Sequence, residues 1–159
     1  LVDNAEKGDK RCQLAIDMEC YRLKKYIGSY IAGLGGADAL IFTAGVGEMS
    51  PIIREKALEG LECLGLKLDK EKNRICRNRN AEFEISASDS KIKIFVIPTD
   101  EEIVFIEDVV ALLHGTYKDP AEYVYSFQKK DYINEQRKSA FEEDVKEKPD
   151  LKKIAVYPK

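Results

Sequence analysis

Ala39-Leu-Ile-Phe-Thr-Ala-Gly-Val-Gly-Glu48, running on into Met49-Ser-Pro-Ile-Ile-Arg54, is the stretch on which the fold turns. Ala39 to Thr43 is short, apolar and partly β-branched, the composition of a buried strand. Gly45 and Gly47 follow. Ser50 then stands where a helix N-cap belongs and Pro51 where a first helical residue belongs. The order is strand, glycine turn, helix start. Such a junction serves as a tight structural turn or as a phosphate cradle. Glycine lets the backbone approach a ligand, and the free N–H groups and dipole of a helix start favour an anion. Gly45-Val46-Gly47 matches neither the dinucleotide fingerprint nor the Walker loop, so the turn alone leaves both readings open.

The bulk properties narrow the class. A chain of 159 residues suits one domain of ordinary size. With 44% hydrophobic and 35% charged residues it reads as globular with a heavily charged surface. A net charge of −3 argues against general nucleic-acid binding. No apolar run reaches membrane-spanning length, so no membrane partner is expected. Leu1-Val-Asp-Asn-Ala-Glu-Lys7 is polar and acidic, unlike a signal peptide, and the chain opens without Met, as a piece of something longer would. Cys12, Cys20, Cys63 and Cys76 form no CxxC pair and His114 is the only histidine, too few clustered ligands for zinc. Cys20 and Cys63 fall in helical patterns, where buried free thiols are common, and all four cysteines read as reduced in a cytoplasmic protein.

Upstream of the glycine turn, residues 1–9 form a polar lead-in. The spacing of Ile16, Cys20, Leu23, Ile27, Ile31 and Leu34 predicts a helix over 10–34, closed by Gly35 and Gly36. Downstream, Ile53, Ala57, Leu61 and Leu64 predict a second helix over 51–64. Residues 69–80 are polar and read as a short exposed helix or a loop. Glu84-Ile-Ser86 reads as a brief edge strand. Lys91-Ile-Lys-Ile-Phe-Val-Ile97 is the clearest strand, alternating at first and then continuously apolar. Pro98-Thr-Asp-Glu-Glu102 makes the next strand-to-helix junction, with Thr99 and Glu102 spaced as a capping box. Ile103, Ile106, Val110 and Leu113 would form the buried face of the helix that follows. If the two main strands are parallel neighbours, both junctions lie at the same carboxyl edge, where open α/β sheets bind ligands. A glycine turn for phosphate and Asp100, Glu101 and Glu102 for a metal then suggest a Mg-nucleotide site. Capping by the helix dipole accounts for the same carboxylates equally well. Residues 117–159 change character: tyrosines alternate with charges, Tyr132 to Val145 fits a helix, and the segment wraps the body or is disordered.

These motifs resemble a known family. Asp38 to Glu48 with Arg54 is similar to the acetate kinase signature F-T-G/A-G-I-G-E-N, and Lys91 to Glu102 to the family's V-I-P-T-N-E-E. Gly8-Asp-Lys-Arg-Cys-Gln-Leu-Ala-Ile-Asp-Met18, Tyr21-Arg-Leu-Lys-Lys-Tyr-Ile-Gly-Ser-Tyr30 and Leu64-Gly-Leu-Lys-Leu-Asp-Lys-Glu-Lys-Asn73 resemble further family stretches, in order and at family spacing. The resemblance spans about residues 5–116. It implies an α/β, ribonuclease H-like lobe of the actin, hsp70 and sugar kinase superfamily, built from strand-helix units. Residues 1–116 would be the C-terminal part of the nucleotide-binding lobe, and 117–159 an atypical charged extension.

The function implied is ATP-dependent, reversible phosphorylation of acetate to acetyl phosphate by a cytoplasmic homodimer using Mg²⁺. By the same resemblance Gly45, Val46, Gly47, Glu48 and Met49 would border the ATP phosphates. Glu101 would be tied to Mg²⁺ through water. Three departures stand out. Met49 replaces the Asn that ends the glycine signature. Asp100 replaces the Asn before the paired glutamates. Ile103-Val-Phe-Ile-Glu107 replaces L-x-I-A-R, and the family normally ends soon after this helix. The family's substrate-binding arginines, catalytic Asp, transition-state His and first phosphate loop all lie upstream of what this chain resembles. The chain alone is therefore expected to be inactive, and its strands to lack sheet neighbours. The rival expectations are a degenerate or split fragment that binds a partner, and a relative acting on propionate or butyrate.

Overall fold

A computed structural model describes residues 1–157. Its centre is a small mixed sheet of β1 (Ala39–Phe42), β2 (Glu82–Glu84), β3 (Lys93–Val96) and β4 (Ala155–Tyr157), in the order β1-β3-β2-β4. β1 and β3 are parallel neighbours, with Ala39 opposite Lys93 and Phe42 opposite Val96. β2 runs antiparallel to β3, and β4 antiparallel to β2. The sheet is thus mixed rather than built purely of strand-helix units. The segment around Glu84 is an interior strand rather than an edge, because β4 covers its open side. In β3 the alternation holds to the end: Ile92, Ile94 and Val96 are buried while Lys93 is exposed. One face of the sheet packs on the core and the other stays accessible.

Among the described residues eight helices accompany the sheet: α1 (Val2–Glu6), α2 (Lys10–Leu34), α3 (Ala44–Met49), α4 (Pro51–Leu58), α5 (Lys70–Ile75), α6 (Glu101–Leu113), α7 (Glu135–Glu147) and α8 (Leu151–Ile154). The lead-in therefore carries a short helix, and its Val2 and Ala5 pack against Ile16, Cys20 and Ile53 where α2 meets α4. α2 has the predicted bounds. Asp9 caps it by accepting from the Arg11 and Cys12 amides at 2.9 and 3.1 Å, and Gly35 closes it in the left-handed conformation.

The helix expected over 51–64 stops at Leu58. Glu59 leaves helical dihedrals with ψ 125°, and a separate 3-10 turn covers Glu62–Leu64. The break lets Leu61 and Leu66 enter the core beside Leu58, while Leu64 and Cys63 turn outward. Cys63 is accordingly exposed, unlike Cys20. Gly65 is required at the next corner: its φ is 93°, and a Cβ there would lie 3.0 Å from the Lys91 Cβ. Its carbonyl accepts from the Lys91 and Ile92 amides, both at 3.0 Å, which brings β3 into place.

Two other expectations change. The 69–80 stretch does hold a short helix, α5, but not an exposed one, since Asn73 within it and Cys76 just after it are buried. On α6, Ile106, Val110 and Leu113 face solvent, and the protected side is Ile103, Val104, Glu107, Asp108 and Ala111. Ser126 donates its amide and hydroxyl to Glu107, and the Tyr125 hydroxyl donates to Asp108 at 3.1 Å, so two acids share the protected side with Ile103, Val104 and Ala111. Among the described residues no helix is long and apolar enough to cross a membrane.

The C-terminal segment is ordered and joins the core. Phe141 of α7 meets Phe83 of β2 edge-on at 6.1 Å, and Leu151 and Ile154 of α8 share the same cluster. Asp144 accepts from the Asn78 and Asn80 side-chain amides at 2.6 and 2.8 Å. Phe141→Ala should therefore cost about 3–5 kcal/mol of stability, read by urea denaturation. A cost near zero would mean that α7 does not pack on the sheet.

Candidate functional site

β1 ends at Phe42, and the chain turns at Thr43 into α3, so the glycines lie inside a short helix rather than an open loop. The helix that begins at the strand end is α3. α4 starts one turn later, where the Ser50 hydroxyl accepts from the Ile53 amide at 3.5 Å. Entry into α3 is strained: Ala44 has φ 59°, the only non-glycine residue in the left-handed region among those described. Gly47 lies against the start of the turn, where a Cβ would meet the Phe42 carbonyl carbon at 3.4 Å, an ordinary packing distance. Gly45 has nothing within 4 Å of that position and faces open space. Val46 and Met49 are exposed.

Glu48 points the other way. Its side chain is fully buried, with Oε1 accepting from the Thr99 amide at 3.0 Å and the Thr99 hydroxyl at 3.2 Å. Oε2 accepts from Arg79 Nε at 2.6 Å. Burial alone would push its carboxyl up, but the Thr99 amide, Arg79 and the Thr99 hydroxyl together hold it below the ordinary range. The expected capping box at Thr99 does not form. The N-cap of α6 is Asp100, without a side-chain cap bond, because Thr99 spends its donors on a buried carboxylate.

Arg54 fixes the turn from below. Its guanidinium is fully buried: Nε donates to Asn73 Oδ1 at 2.8 Å, and Nη1 to the Gly47 and Glu48 carbonyls at 2.7 and 2.9 Å. Nη2 donates to the Asn73 and Cys76 carbonyls at 3.1 and 2.6 Å.

The three acids of the second junction separate. Asp100 Oδ2 accepts from Asn134 Nδ2 at 3.1 Å and pairs with Arg137 at 3.6 Å. Glu101 and Glu102 are exposed on the first turn of α6. No cluster of three acid, histidine or cysteine side chains able to hold a metal occurs among the described residues. The expected three-carboxylate site is thus reduced to exposed single carboxylates. That donor set fits only an ion whose remaining ligands are phosphate oxygens and waters.

Parallel pairing of β1 and β3 puts both junctions at one sheet edge, and the Glu48–Thr99 bonds join them directly. The Acetokinase family model matches residues 1–107. The chain belongs to the acetokinase family. It is 57% identical over 133 residues to the acetate kinase of Trichlorobacter lovleyi, covering 84% of this chain and 32% of that protein. It is 49% identical over 152 residues to the acetate kinase of Treponema pallidum, covering 95% of this chain and 34% of that one. Most of 117–159 must fall inside the second match, so that segment has a counterpart in a relative. The crystal structure of Porphyromonas gingivalis acetate kinase superposes with a TM-score of 0.61 at 40% identity, over 70% of this chain and 27% of that one. The chain spans about a third of the length of the curated acetokinase relatives it matches.

Within this acetokinase chain, sequence reading reached the two junctions but missed Arg79, Asn134 and Arg137. Asn134 carries a legible cap signal, being followed at helical spacing by Arg137, whose amide it accepts at 3.0 Å. Nothing local marks Arg79 as the partner of Glu48.

Two outcomes follow from this geometry. Glu48 has a depressed folded-state carboxyl, so its stabilisation is complete above the ordinary value of about 4.3 and is lost as pH falls through the lower folded value. The stability gap between wild type and Glu48→Gln should be widest near neutral pH and close in acid. A gap constant with pH would remove the charged role. Ala44→Gly should raise stability by about 0.5 kcal/mol, because relief of the left-handed penalty outweighs glycine's chain entropy. A clear loss in chemical denaturation would show that Ala44 is unstrained.

Proposed function

We propose that this chain supplies one wall of the Mg·ATP site of an acetate kinase, an enzyme that moves a phosphoryl group reversibly between ATP and acetate. The observation carrying this reading is the bonding of Glu48 to Thr99, which locks the glycine turn and the second junction together at one sheet edge. Gly45, Val46 and Met49 offer an open face at this edge, Gly47 lies against Phe42 beneath it, and the turn borders the phosphates. Glu48 takes part by holding that turn in place, since its carboxylate is turned inward. Glu101, exposed at the start of α6, is the carboxylate available to Mg²⁺ through water. Mg²⁺ bound there would offset phosphate charge; one or two carboxylates with phosphate oxygens and waters are its usual company.

The chain alone is proposed to be inactive. Phosphoryl transfer needs positive charge around the transferring group. The arginines at this edge are committed: Arg54 to carbonyls, Arg79 to Glu48, and Arg137 to the second junction. The upstream lobe would bring the missing cations and the acyl pocket. Exposed apolar surface supports a larger assembly. β1 is a terminal strand of the sheet, and Phe105, Ile106, Leu112 and Leu113 of α6 lie open. The full-length enzyme is read as a cytoplasmic homodimer, by family resemblance.

Calorimetric titration of the purified chain with Mg·ATP tests the half-site. Binding should be detectable, and Glu101→Gln should weaken it by about tenfold, the scale of one charge-assisted contact. A well-folded chain giving no heat would favour the rival reading, a degenerate fragment that binds a partner instead.

A further inference from the structure

The departure at Asp100 and the C-terminal segment meet in space. Asn134 caps α7 by accepting the Arg137 amide at 3.0 Å, and its Nδ2 donates to Asp100 Oδ2 at 3.1 Å. Arg137, on the first turn of α7, donates through Nη2 to the Thr99 carbonyl at 2.5 Å and through Nη1 to the Pro98 carbonyl at 3.4 Å. The same guanidinium pairs with Asp100 at 3.6 Å, both side chains being about three-quarters shielded from water. One side chain therefore grips the backbone of the second junction and cancels the charge on its N-cap. The cap fixes where Arg137 points, so the grip is built into the start of α7 rather than left to a mobile tail.

We propose that Asn134 and Arg137 are positioning residues of the nucleotide-side edge, and that Arg137 is the specific charge partner of Asp100. Thr99 is held from both sides. Its amide and hydroxyl donate to Glu48 of the glycine turn, and its carbonyl accepts from Arg137 of α7. Without Arg137, Asp100 is left as a part-buried uncompensated carboxylate, and the junction loses the donor that fixes its last carbonyls. Glu101 begins two residues after Thr99, so its aim depends on that grip. An uncompensated Asp100 would also repel the polyphosphate, because Mg·ATP is itself net negative. A cavity of about 470 Å³ beside the junction, lined by Pro98, Asp100, Asn134 and Arg137, leaves room for the loosened strand end to move. The consequence for nucleotide rests on the function proposed above; the charge pairing stands without it.

The test is a double-mutant comparison by amide hydrogen exchange. Arg137→Gln should accelerate exchange over residues 97–104 and 44–50 by about tenfold, with α2 unchanged. In an Asp100→Asn background the same change should give about threefold or less, since no orphaned charge remains. Arg137→Lys, which keeps the charge but not the planar fork, should fall between these values and guards against an unfolded variant. Equal acceleration in both backgrounds, or none in either, overturns the pairing. Mg·ATP titration reads the consequence separately. Arg137→Gln should weaken binding by about tenfold, and Arg137→Gln/Asp100→Asn should recover to within about threefold of wild type. Absence of Mg·ATP binding to the wild type would count against the nucleotide reading, while the exchange data would still decide the pairing.

Discussion

The buried guanidinium of Arg54 is the constraint on which the edge depends. It carries a full charge into a fully buried position and, among the described residues, pairs with no carboxylate. Its partners are the carbonyls of Gly47 and Glu48 near the end of α3 and of Asn73 and Cys76 at the end of α5. Carbonyls at helix C-termini are unpaired within the helix and carry partial negative charge, so two short helices together supply what a counter-ion would. Cys76 adds no negative charge: burial pushes its thiol up to about 11 although Arg54 pulls it down. Burial also lowers the Arg54 pKa, but guanidinium stays protonated in proteins. Breaking such a network leaves a buried charge and several orphaned carbonyls, a loss of about 3–5 kcal/mol.

From that anchor the restraints run in series. Arg54 holds the end of α3, α3 presents Glu48 inward, Glu48 holds Thr99, and Arg137 holds Thr99 from the far side. The exposed pairs Lys56–Asp17, Lys70–Glu55 and Arg74–Glu71 are of another order. Screened pairs of that kind contribute about 0–1 kcal/mol each and fix no backbone. Shape at the candidate site is thus set by a few buried polar groups, while fold stability rests on the apolar cluster around Phe83, Ile94 and Phe141. The two meet in α7, whose Phe141 packs in the core and whose Arg137 reaches the edge.

What could be read in the sequence follows from how local each signal is. The bounds of α2 were legible because its apolar period and the glycines that close it are contiguous in the chain. The strands β1 and β3 were legible from composition, but their parallel pairing entered only as a condition, and β1, expected buried, is half exposed with Ile41 open to solvent. The break at Leu58 was not, since the period of Ile53, Ala57 and Leu61 persists through a corner that only packing of Leu61 and Leu66 explains. The buried face of α6 was misread because apolar residues run round the helix, and the bonds of Glu107 and Asp108 to Ser126 and Tyr125 select the side that also carries Ile103, Val104 and Ala111. Thr99 has a genuine capping-box spacing, but its donors are taken by a residue more than fifty positions away. Asp100 stood out as a departure from the signature, and nothing in the local pattern could say that α7 would carry its cationic partner.

The departures at Met49 and Asp100 are therefore unlike in kind. Asp100 adds a charge, and a hydrogen-bond donor and a cation meet it from a segment that folds onto the junction. Met49 removes an amide and is met by nothing comparable: it is exposed on the open face beside Gly45 and Val46. The buried Glu48 carboxylate and the part-buried Asp100 each sit beside a cation, Arg79 and Arg137, which offsets the desolvation either would cost alone. Met49 changes which atoms a nucleotide would touch, whereas loss of Arg137 would change where the edge itself lies.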